Sequence, residues 1–360
     1  MDLLFHNQVI LFAGVNRMLH DGYLEESWTN LLACTRLSTA WEPEAVDISH
    51  FVRFACVTFA YEATWQALQT NGWSDEQLAR LQHEWESVDF FKDLPETAAF
   101  QRASAVDLCR RERREPRAKG LTLADYLKEL SRSPLSAWRL VPDSWARWRY
   151  PSFGTYMDEK NLFLFYRDRE LELRRAIQSP TWLAMRLLPG VTNYVLFRSR
   201  SPSRLQAILD MRAIAAATQR RGAPLLGRAA EAETRRRLIL TAIALERFHA
   251  RHGTYPNSLS ALGPESKGVP MVDFMDGNPL RYRLTDEGHF VLYSVGLDCI
   301  DDAGRMRQPR GAGFPFVVED AWGNLPAPDL VWPRPATAAE VESIRADTRS
   351  GHGAAPELPP

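Results

Sequence analysis

The chain has 360 residues, of which 45% are hydrophobic and 25% are charged. These fractions are typical of globular proteins and exclude a wholly disordered, collagen-like or purely coiled-coil protein. The 44 Lys and Arg residues nearly balance 45 Asp and Glu residues, and the net charge of −1 excludes a chain-wide basic coat for nucleic acid as well as an acidic solvating tail. The length predicts two or three domains, and no nucleic-acid partner is expected.

The four cysteines are widely spaced and form no C-x-x-C pair, a pattern that fits neither a zinc site nor a dense disulfide framework. Cys34 and Cys56 lie in apolar helical patterns and are predicted to be buried free thiols. The apolar run of residues 9–15 is too short for a signal peptide, and that of residues 181–197 is interrupted by polar residues and proline. We therefore expect the sequence as given to be soluble.

The first hundred residues are predicted to form packed helices. Apolar residues recur at helical spacing after the turn at Gly22. Asp47 is the expected N-cap of the next helix, and Gly72 is expected to follow its end. Ser74 and Gln77 then have the spacing of a capping box at the start of a further helix. Apolar stripes this regular need partner helices, so we expect an antiparallel bundle or array.

Residues 102–119 are rich in arginine. The pattern fits an anion-binding patch or a solvated helix end that stops at the Pro- and Gly-containing break of residues 116–120. We favour the solvated helix end, because acidic residues are interleaved with the arginines and no aromatic platform accompanies them. The same break is a candidate subdivision of the helical region.

Two stretches are candidate contact regions. Residues 138–156 are unusually aromatic, which indicates a ligand groove or, more commonly, a hydrophobic seam between helical layers. Residues 198–237 contain ten arginines against three acidic residues. With the preceding apolar run, residues 181–237 fit either a surface for an anionic membrane or acidic partner or a solvated amphipathic helix.

The C-terminal third changes from a helical to an alternating pattern. A long helix is predicted from about residue 229 to His252, with Gly253 just after its end. Alternation in residues 280–284 and 290–294, separated by an Asp-Glu-Gly turn, predicts a β-hairpin. Residues 336–360 are rich in Ala, Pro, Gly and polar residues and are predicted to be a disordered tail.

This order of elements resembles the soluble head of the major pseudopilin of type II secretion systems. The resemblance covers residues 229–302 and rests on the helix end Gly253-Thr254-Tyr255-Pro256, the hairpin, and the strand ending Ser294-Val295-Gly296-Leu297-Asp298. It implies a helix packed on a small antiparallel sheet. The whole layout is similar to uncharacterised bacterial envelope proteins that carry such a head and end in a Trp-containing strand, here residues 329–332.

The sequence departs from the pseudopilin pattern at its start. A pseudopilin begins with a prepilin cleavage motif and an apolar anchoring helix, whereas this chain has neither, and its pilin-like helix follows more than 200 residues. An ordinary processed pilin subunit is therefore not expected. If the chain belongs to the envelope group, an upstream membrane anchor is missing from it, and the protein is located in the cell envelope; otherwise a cytoplasmic location is expected.

The resemblance also implies a calcium site. In pseudopilins the loop after the Ser-x-Gly-x-Asp strand binds a calcium ion, and the matching acidic residues here are Asp298, Asp301 and Asp302. Hard oxygen ligands in a short loop suit Ca²⁺. However, Cys299 and Ile300 replace the small and polar residues expected there, so an ordinary acidic turn is the alternative.

No catalytic signature is found: the sequence contains no G-x-S-x-G, P-loop, G-x-G-x-x-G or H-E-x-x-H motif. Glu246, His249 and His252 have metal-like spacing, but their position at a helix end favours a capping role. An enzyme is therefore unsupported.

We expect a mainly α protein with a helical bundle or array over residues 1–228, a pseudopilin-like α+β head over residues 229–335 and a tail. The expected function is that of a non-enzymatic, envelope-associated structural or interaction protein with protein partners. The alternatives are a cytosolic helical adaptor and a hydrolase that uses residues 138–156.

Overall fold

The computed structural model describes residues 2–114, 154–186, 225–304 and 329–333. Its helices, in chain order, are α1 (Asp2–His20), α2 (Leu24–Thr39), α3 (Asp47–Leu68), α4 (Asp75–Glu86), α5 (Leu94–Arg114), α6 (Thr155–Ala176), α7 (Trp182–Arg186) and α8 (Leu225–His252). A 3₁₀ segment, Leu259–Ser266, follows. The strands are β1 (Arg281–Leu284), β2 (Phe290–Ser294) and β3 (Leu330–Trp332). The described chain is thus mainly helical with a small antiparallel sheet, as the sequence predicts.

The N-terminal helices α1, α2 and α3 pack against one another, and α4 packs on α2 and α8. The sequence patterns that separate them are confirmed. Gly22 has a φ of +80° between α1 and α2, a left-handed conformation that glycine adopts without a Cβ penalty. The capping box at α4 is formed: the Ser74 hydroxyl accepts a hydrogen bond from the Gln77 amide at 3.1 Å, and Gln77 Oε1 accepts one from the Ser74 amide at 2.9 Å.

The predicted N-cap of α3 is wrong by one residue. Val46 occupies the N-cap position without a side-chain cap, and Asp47 is the first residue of the helix. A carboxylate in the first turn still complements the helix dipole. The Asp47 carboxylate also lies 3.6 Å from the guanidinium of buried Arg169, which belongs to α6. Asp47 therefore joins two helices instead of capping one.

Helices α5 and α6 form an antiparallel pair. Ion pairs between Glu96 and Arg174, at 3.3 Å, and between Arg102 and Glu170, at 2.7 Å, show the direction of packing. At the end of the pair where α5 starts and α6 finishes, apolar side chains belong to the main core: Leu94, Ala98, Leu173 and Ala176. The rest of the pair has a separate small core made of Ala105, Cys109, Leu162 and Tyr166.

Helix α8 is the central element of the structure. From Leu225 to Leu245 most of its side chains are buried on every side, because it packs on α3, α4, the 3₁₀ segment and the sheet. Its start lies four residues before the expected residue 229. Its end is as predicted, with Gly253 at a φ of +75° directly after His252.

The sheet has the strand order β1-β2-β3, and both pairings are antiparallel. The hairpin register pairs Leu284 with Phe290 across the turn, which confirms the predicted hairpin. All residues of β2 are buried. The Trp-containing segment forms the third strand, and its Trp332 side chain is 2% exposed.

One hydrophobic cluster connects the helices and the sheet. It runs from Val15 in α1 through α3, α4 and α8 to Trp332 in β3.

Cys34 and Cys56 are free and buried, as predicted. The predicted domain boundary between residues 228 and 229 lies in the first turn of α8. The division of the chain into two domains at this point stays a prediction. The predicted tail, residues 336–360, lies outside the described residues.

Candidate functional site

The acidic loop after β2 is held at its start by a buried carboxylate. Asp273 accepts hydrogen bonds from the Ser294 hydroxyl at 2.7 Å and from the amides of Val295 and Met275 at 3.0 and 2.9 Å. The guanidinium of Arg281 lies 3.1 Å from the same carboxylate. These contacts fix the direction in which the chain leaves β2. Sequence reasoning missed Asp273, because it precedes the strand by about twenty residues.

Asp298, the first predicted calcium ligand, is 6% exposed. Its Oδ1 accepts a hydrogen bond from the Ile300 amide at 3.0 Å. Its Oδ2 is buried and accepts no hydrogen bond from the described residues. Burial, together with nearby Asp302, raises the pKa of Asp298 above its ordinary value. A cation at Oδ2 would relieve this cost of burying a charge.

Asp301, the second predicted ligand, is directed toward protein donors. Its Oδ1 accepts hydrogen bonds from the Tyr293 hydroxyl at 3.1 Å and the Ala303 amide at 2.8 Å. Its Oδ2 lies 3.4 Å from Nε of Arg281. The Asp301 carboxylate is therefore used in securing the loop to β1 and β2.

Asp302, the third predicted ligand, is connected to Asp329, the residue just before β3. The amides of Asp302 and Gly304 donate hydrogen bonds to Asp329 Oδ2 at 3.1 and 2.8 Å. Asp329 Oδ1 is buried and has no hydrogen-bond partner among the described residues. Burial, together with Asp301 and Asp302, raises the pKa of Asp329. Asp329 is thus an acidic member of this site that spacing alone does not reveal.

The loop has a strained backbone. Cys299 and Ala303 have φ values of 60° and 61°, in the left-handed region that non-glycine residues seldom adopt. The carbonyl oxygens of Leu297 and Asp298 accept hydrogen bonds from Arg186 at 3.0 and 2.9 Å, and Leu297 accepts another from the Trp182 indole at 2.8 Å. Helix α7 therefore holds the first half of the loop in place.

These contacts test the fit of calcium to the loop. Across residues 2–114, 154–186, 225–304 and 329–333, no group of three or more His, Cys, Asp or Glu side chains is arranged to hold a metal ion. Asp298, Asp301 and Asp302 do not converge as a set. Asp298 and Asp329 each keep one buried carboxylate oxygen that lacks a partner among the described residues.

The side chains of Glu246, His249 and His252 make contacts with neighbouring residues at the end of α8. Tyr255 donates a hydrogen bond from its hydroxyl to Glu246 Oε1 at 2.9 Å, and the His249 ring stacks on the Tyr255 ring with centroids 4.4 Å apart. The His252 ring stacks on Phe248 at 4.0 Å. Burial raises the pKa of Glu246 to about 7. These side chains secure the helix end and do not form a metal site.

The two predicted contact regions lie largely outside the described residues. Of residues 138–156, only residues 154–156 are described; of residues 198–237, only residues 225–237 are. In that described part the arginines pair with acids of the same helix, as Arg236 does with Glu233 at 2.7 Å. Arg236 also donates a hydrogen bond to the Trp85 carbonyl at 3.0 Å. The described arginines of α8 are therefore bound within the molecule.

The arginines of α5 have aromatic neighbours, contrary to the expectation that no aromatic platform accompanies them. The Arg113 guanidinium lies 4.2 Å from the centre of the Tyr156 ring, and that of Arg102 lies 5.6 Å from the Phe163 ring. Both aromatic residues belong to α6, about 40 to 60 positions later in the chain. Arg102 and Arg113 also pair with Glu170 and Glu159 of α6, and anion binding by this helix stays untested.

Among the described residues, no helix is both long enough and apolar enough to cross a bilayer. Comparison with known proteins gave no match of any of three kinds: no family model matches the chain, and no curated protein and no solved structure is significantly similar to it. The resemblance of residues 229–302 to a pseudopilin head therefore stays a prediction from the sequence motifs.

Proposed function

We propose that this protein is a non-enzymatic, envelope-associated structural or interaction protein, in which residues 229–335 act as a pseudopilin-like head and the N-terminal helices act as a docking surface. The observation that carries the proposal is the packing of α8 and its Gly253 corner on a three-stranded antiparallel sheet. Because a fold by itself does not establish a function, the cellular role needs a direct test.

The helix corner supports the proposal in detail. Tyr255 packs edge-on against Phe290 with ring centroids 4.9 Å apart, and Tyr282 donates a hydrogen bond from its hydroxyl to the Pro256 carbonyl at 2.7 Å. These contacts join the end of α8 to both strands of the hairpin. The Gly-x-Tyr-Pro motif therefore has a structural purpose, which is to fix the angle between the helix and the sheet.

Calcium belongs to this proposal as a stabiliser of the head. Asp298 and Asp329, each with one buried carboxylate oxygen that lacks a partner among the described residues, would supply oxygen ligands, and the ion would offset the charge of these carboxylates. A hard cation of this kind takes six to eight oxygen ligands, so backbone carbonyl oxygens or water would complete the shell. The ion would link the loop after β2 to the start of β3.

The proposal is tested by fractionating cells that express the protein from its own locus with the upstream DNA included. We expect recovery in the membrane pellet, with release by detergent and not by high salt. Release by salt alone would instead mean peripheral, electrostatic attachment. Recovery in the soluble fraction would overturn the envelope location.

A cytosolic helical adaptor that uses the head as a stability module is the second candidate. The continuous core from Val15 to Trp332 favours it, because it joins the head to the helices. Ion pairs add to this connection: Arg247 and Arg251 of α8 each lie 2.7 Å from the Asp75 carboxylate at the start of α4. Soluble recovery, together with partners captured through the N-terminal helices, would support the adaptor.

A further inference from the structure

We propose that the groove between α5 and α6 binds an acidic amphipathic helix of a partner protein. The groove has a volume of about 730 Å³. We define the α5–α6 groove by the side chains that line it: Ala99, Arg102, Ala103, Val106, Arg110, Arg113, Tyr156, Glu159, Lys160, Phe163 and Leu164. This inference rests on the proposed function in one respect, which is that the N-terminal helices act as a docking surface.

The floor of the α5–α6 groove suits the close approach of a helix. Ala99, Ala103 and Val106 follow one another at spacings of four and three residues, so they form a single stripe along α5. Small side chains in such a stripe would let a bound helix of the partner pack closely against α5. Phe163 and Leu164 of α6 make the opposite wall apolar.

The charge of the groove selects an acidic occupant. Its lining carries Arg102, Arg110, Arg113 and Lys160 against the single carboxylate of Glu159, an excess of three positive charges. The excess is two if Glu170 is included, which pairs with Arg102 from just outside the lining. Glu159 pairs with both Arg110 and Arg113. Acidic side chains along the edge of a bound helix would complement the remaining charge.

The groove also exposes large apolar side chains. Tyr156 is 60% exposed and Phe163 is 45% exposed, and guanidinium groups of α5 lie over both rings. Exposed aromatic residues beside arginines are the composition found at the energetic centres of protein interfaces. They would cover the apolar face of the bound helix, while the arginines reach its acidic edge.

The architecture favours a helical occupant over an extended one. Beyond the main core, the α5–α6 pair has a core of four buried residues in the part of the chain that the structure describes, and a third helix laid along it would complete a small bundle. The groove follows α5 from Ala99 to Arg113, a rise of about 21 Å at 1.5 Å per residue. That length corresponds to about four turns of a bound helix.

The test is a binding titration with the purified full-length chain and a fluorescent synthetic peptide. The probe is an amphipathic helix of about 18 residues, or five turns, with Leu and Ala on one face and Glu on the other. A control peptide has the same apolar face and Lys in place of Glu. We expect saturable binding of the acidic peptide alone, weakened when salt is raised from about 0.05 to 0.5 M because screening shortens the reach of the charges.

Matched variants locate the binding site. Lys160→Glu reverses an exposed charge in the groove, and Arg80→Glu reverses an exposed charge on α4. Phe163→Ala removes an apolar side chain in the groove, and Leu171→Ala removes one of similar exposure, 47%, elsewhere on α6. We expect Lys160→Glu to raise the Kd roughly tenfold and Phe163→Ala at least about fivefold, with both control variants within about twofold of the original chain.

Several outcomes would overturn the inference. Equal binding of the acidic and basic peptides, no binding of either, or equal effects of groove and control variants would each do so. Binding of vesicles that contain phosphatidylglycerol without binding of the peptide would assign the groove to a lipid surface. A photo-crosslinker at position 160 that captures only residues 115–153 of the same chain would assign it to an internal contact. Because the titration uses purified protein, its failure is distinguishable from failure of the envelope fractionation.

Discussion

Tyr61 of α3 donates a hydrogen bond from its hydroxyl to the carbonyl oxygen of Val331 in β3, at 2.8 Å and across 270 positions of the chain. The ring of Tyr61 also packs edge-on against Trp332, with centroids 5.1 Å apart. Burial raises the pKa of Tyr61 well above its ordinary value, so the hydroxyl stays a donor at physiological pH. This contact joins α3 directly to β3.

Removing this hydroxyl is expected to weaken the connection between helices and sheet. Tyr61→Phe keeps the ring contact with Trp332 and leaves the Val331 carbonyl without its donor, which should lower the free energy of unfolding by about 1 kcal/mol. The measurement is equilibrium unfolding in urea. Tyr23→Phe is the matched control, because Tyr23 is 56% exposed. An equal loss in both variants would show that the contact between Tyr61 and Val331 does not stabilise the fold.

Glu246 is expected to make stability depend on pH. Burial raises its pKa to about 7 in the folded state, against about 4.3 in an unfolded chain. The folded state therefore binds more protons than the unfolded state between these values, and the contribution of Glu246 to stability falls as the pH rises through this window. Its neighbours are the Tyr255 hydroxyl and, stacked on Tyr255, the His249 ring.

The test compares the original chain with Glu246→Gln in urea unfolding at pH 5 and pH 8. The amide keeps an acceptor for Tyr255 and carries no charge, so the variant should gain stability relative to the original chain as the pH rises. The expected gain is on the order of 2 kcal/mol. Parallel pH profiles for the two proteins would contradict the raised pKa.

Calcium is expected to stabilise the head through Asp298 and Asp329. At a free concentration about 100 times the Kd, a ligand that binds only the folded state adds about 2.7 kcal/mol to the free energy of unfolding. We expect a higher Tm with millimolar Ca²⁺ than with a chelator. Asp298→Asn and Asp329→Asn should each abolish the difference, whereas Asp286→Asn, in the exposed hairpin turn, should retain it. Identical melting curves with calcium and with chelator would reject the calcium site.

Local patterns predicted the elements of this fold well. The capping box of Ser74 and Gln77, the glycine after α8 and the hairpin that pairs Leu284 with Phe290 depend on residues a few positions apart, and all three are confirmed. The N-cap of α3 was predicted one residue too late. Asp47 is an acceptable N-cap residue by its local sequence, but its carboxylate lies near Arg169, more than a hundred positions away. Sequence spacing contains no information about that partner.

The candidate sites were harder to predict, because their members meet only in the folded chain. Asp329 joins the acidic loop through the amides of Asp302 and Gly304, about 25 positions earlier. Tyr156 and Phe163 lie beside the arginines of α5 because α6 returns antiparallel to it. Composition revealed the arginines and the acidic loop, but it could not show which carboxylate oxygens are buried or which rings stay exposed.

The position of α8 has a consequence for how the chain is made. Trp85 at the end of α4 accepts its hydrogen bond from Arg236, which follows 151 positions later. At a synthesis rate of about 5–20 residues per second, the ribosome needs roughly 8–30 seconds to make the intervening chain. During that interval α3 and α4 have left the ribosome without the helix that covers their apolar sides. The newly made N-terminal half is therefore expected to depend on chaperones until α8 emerges.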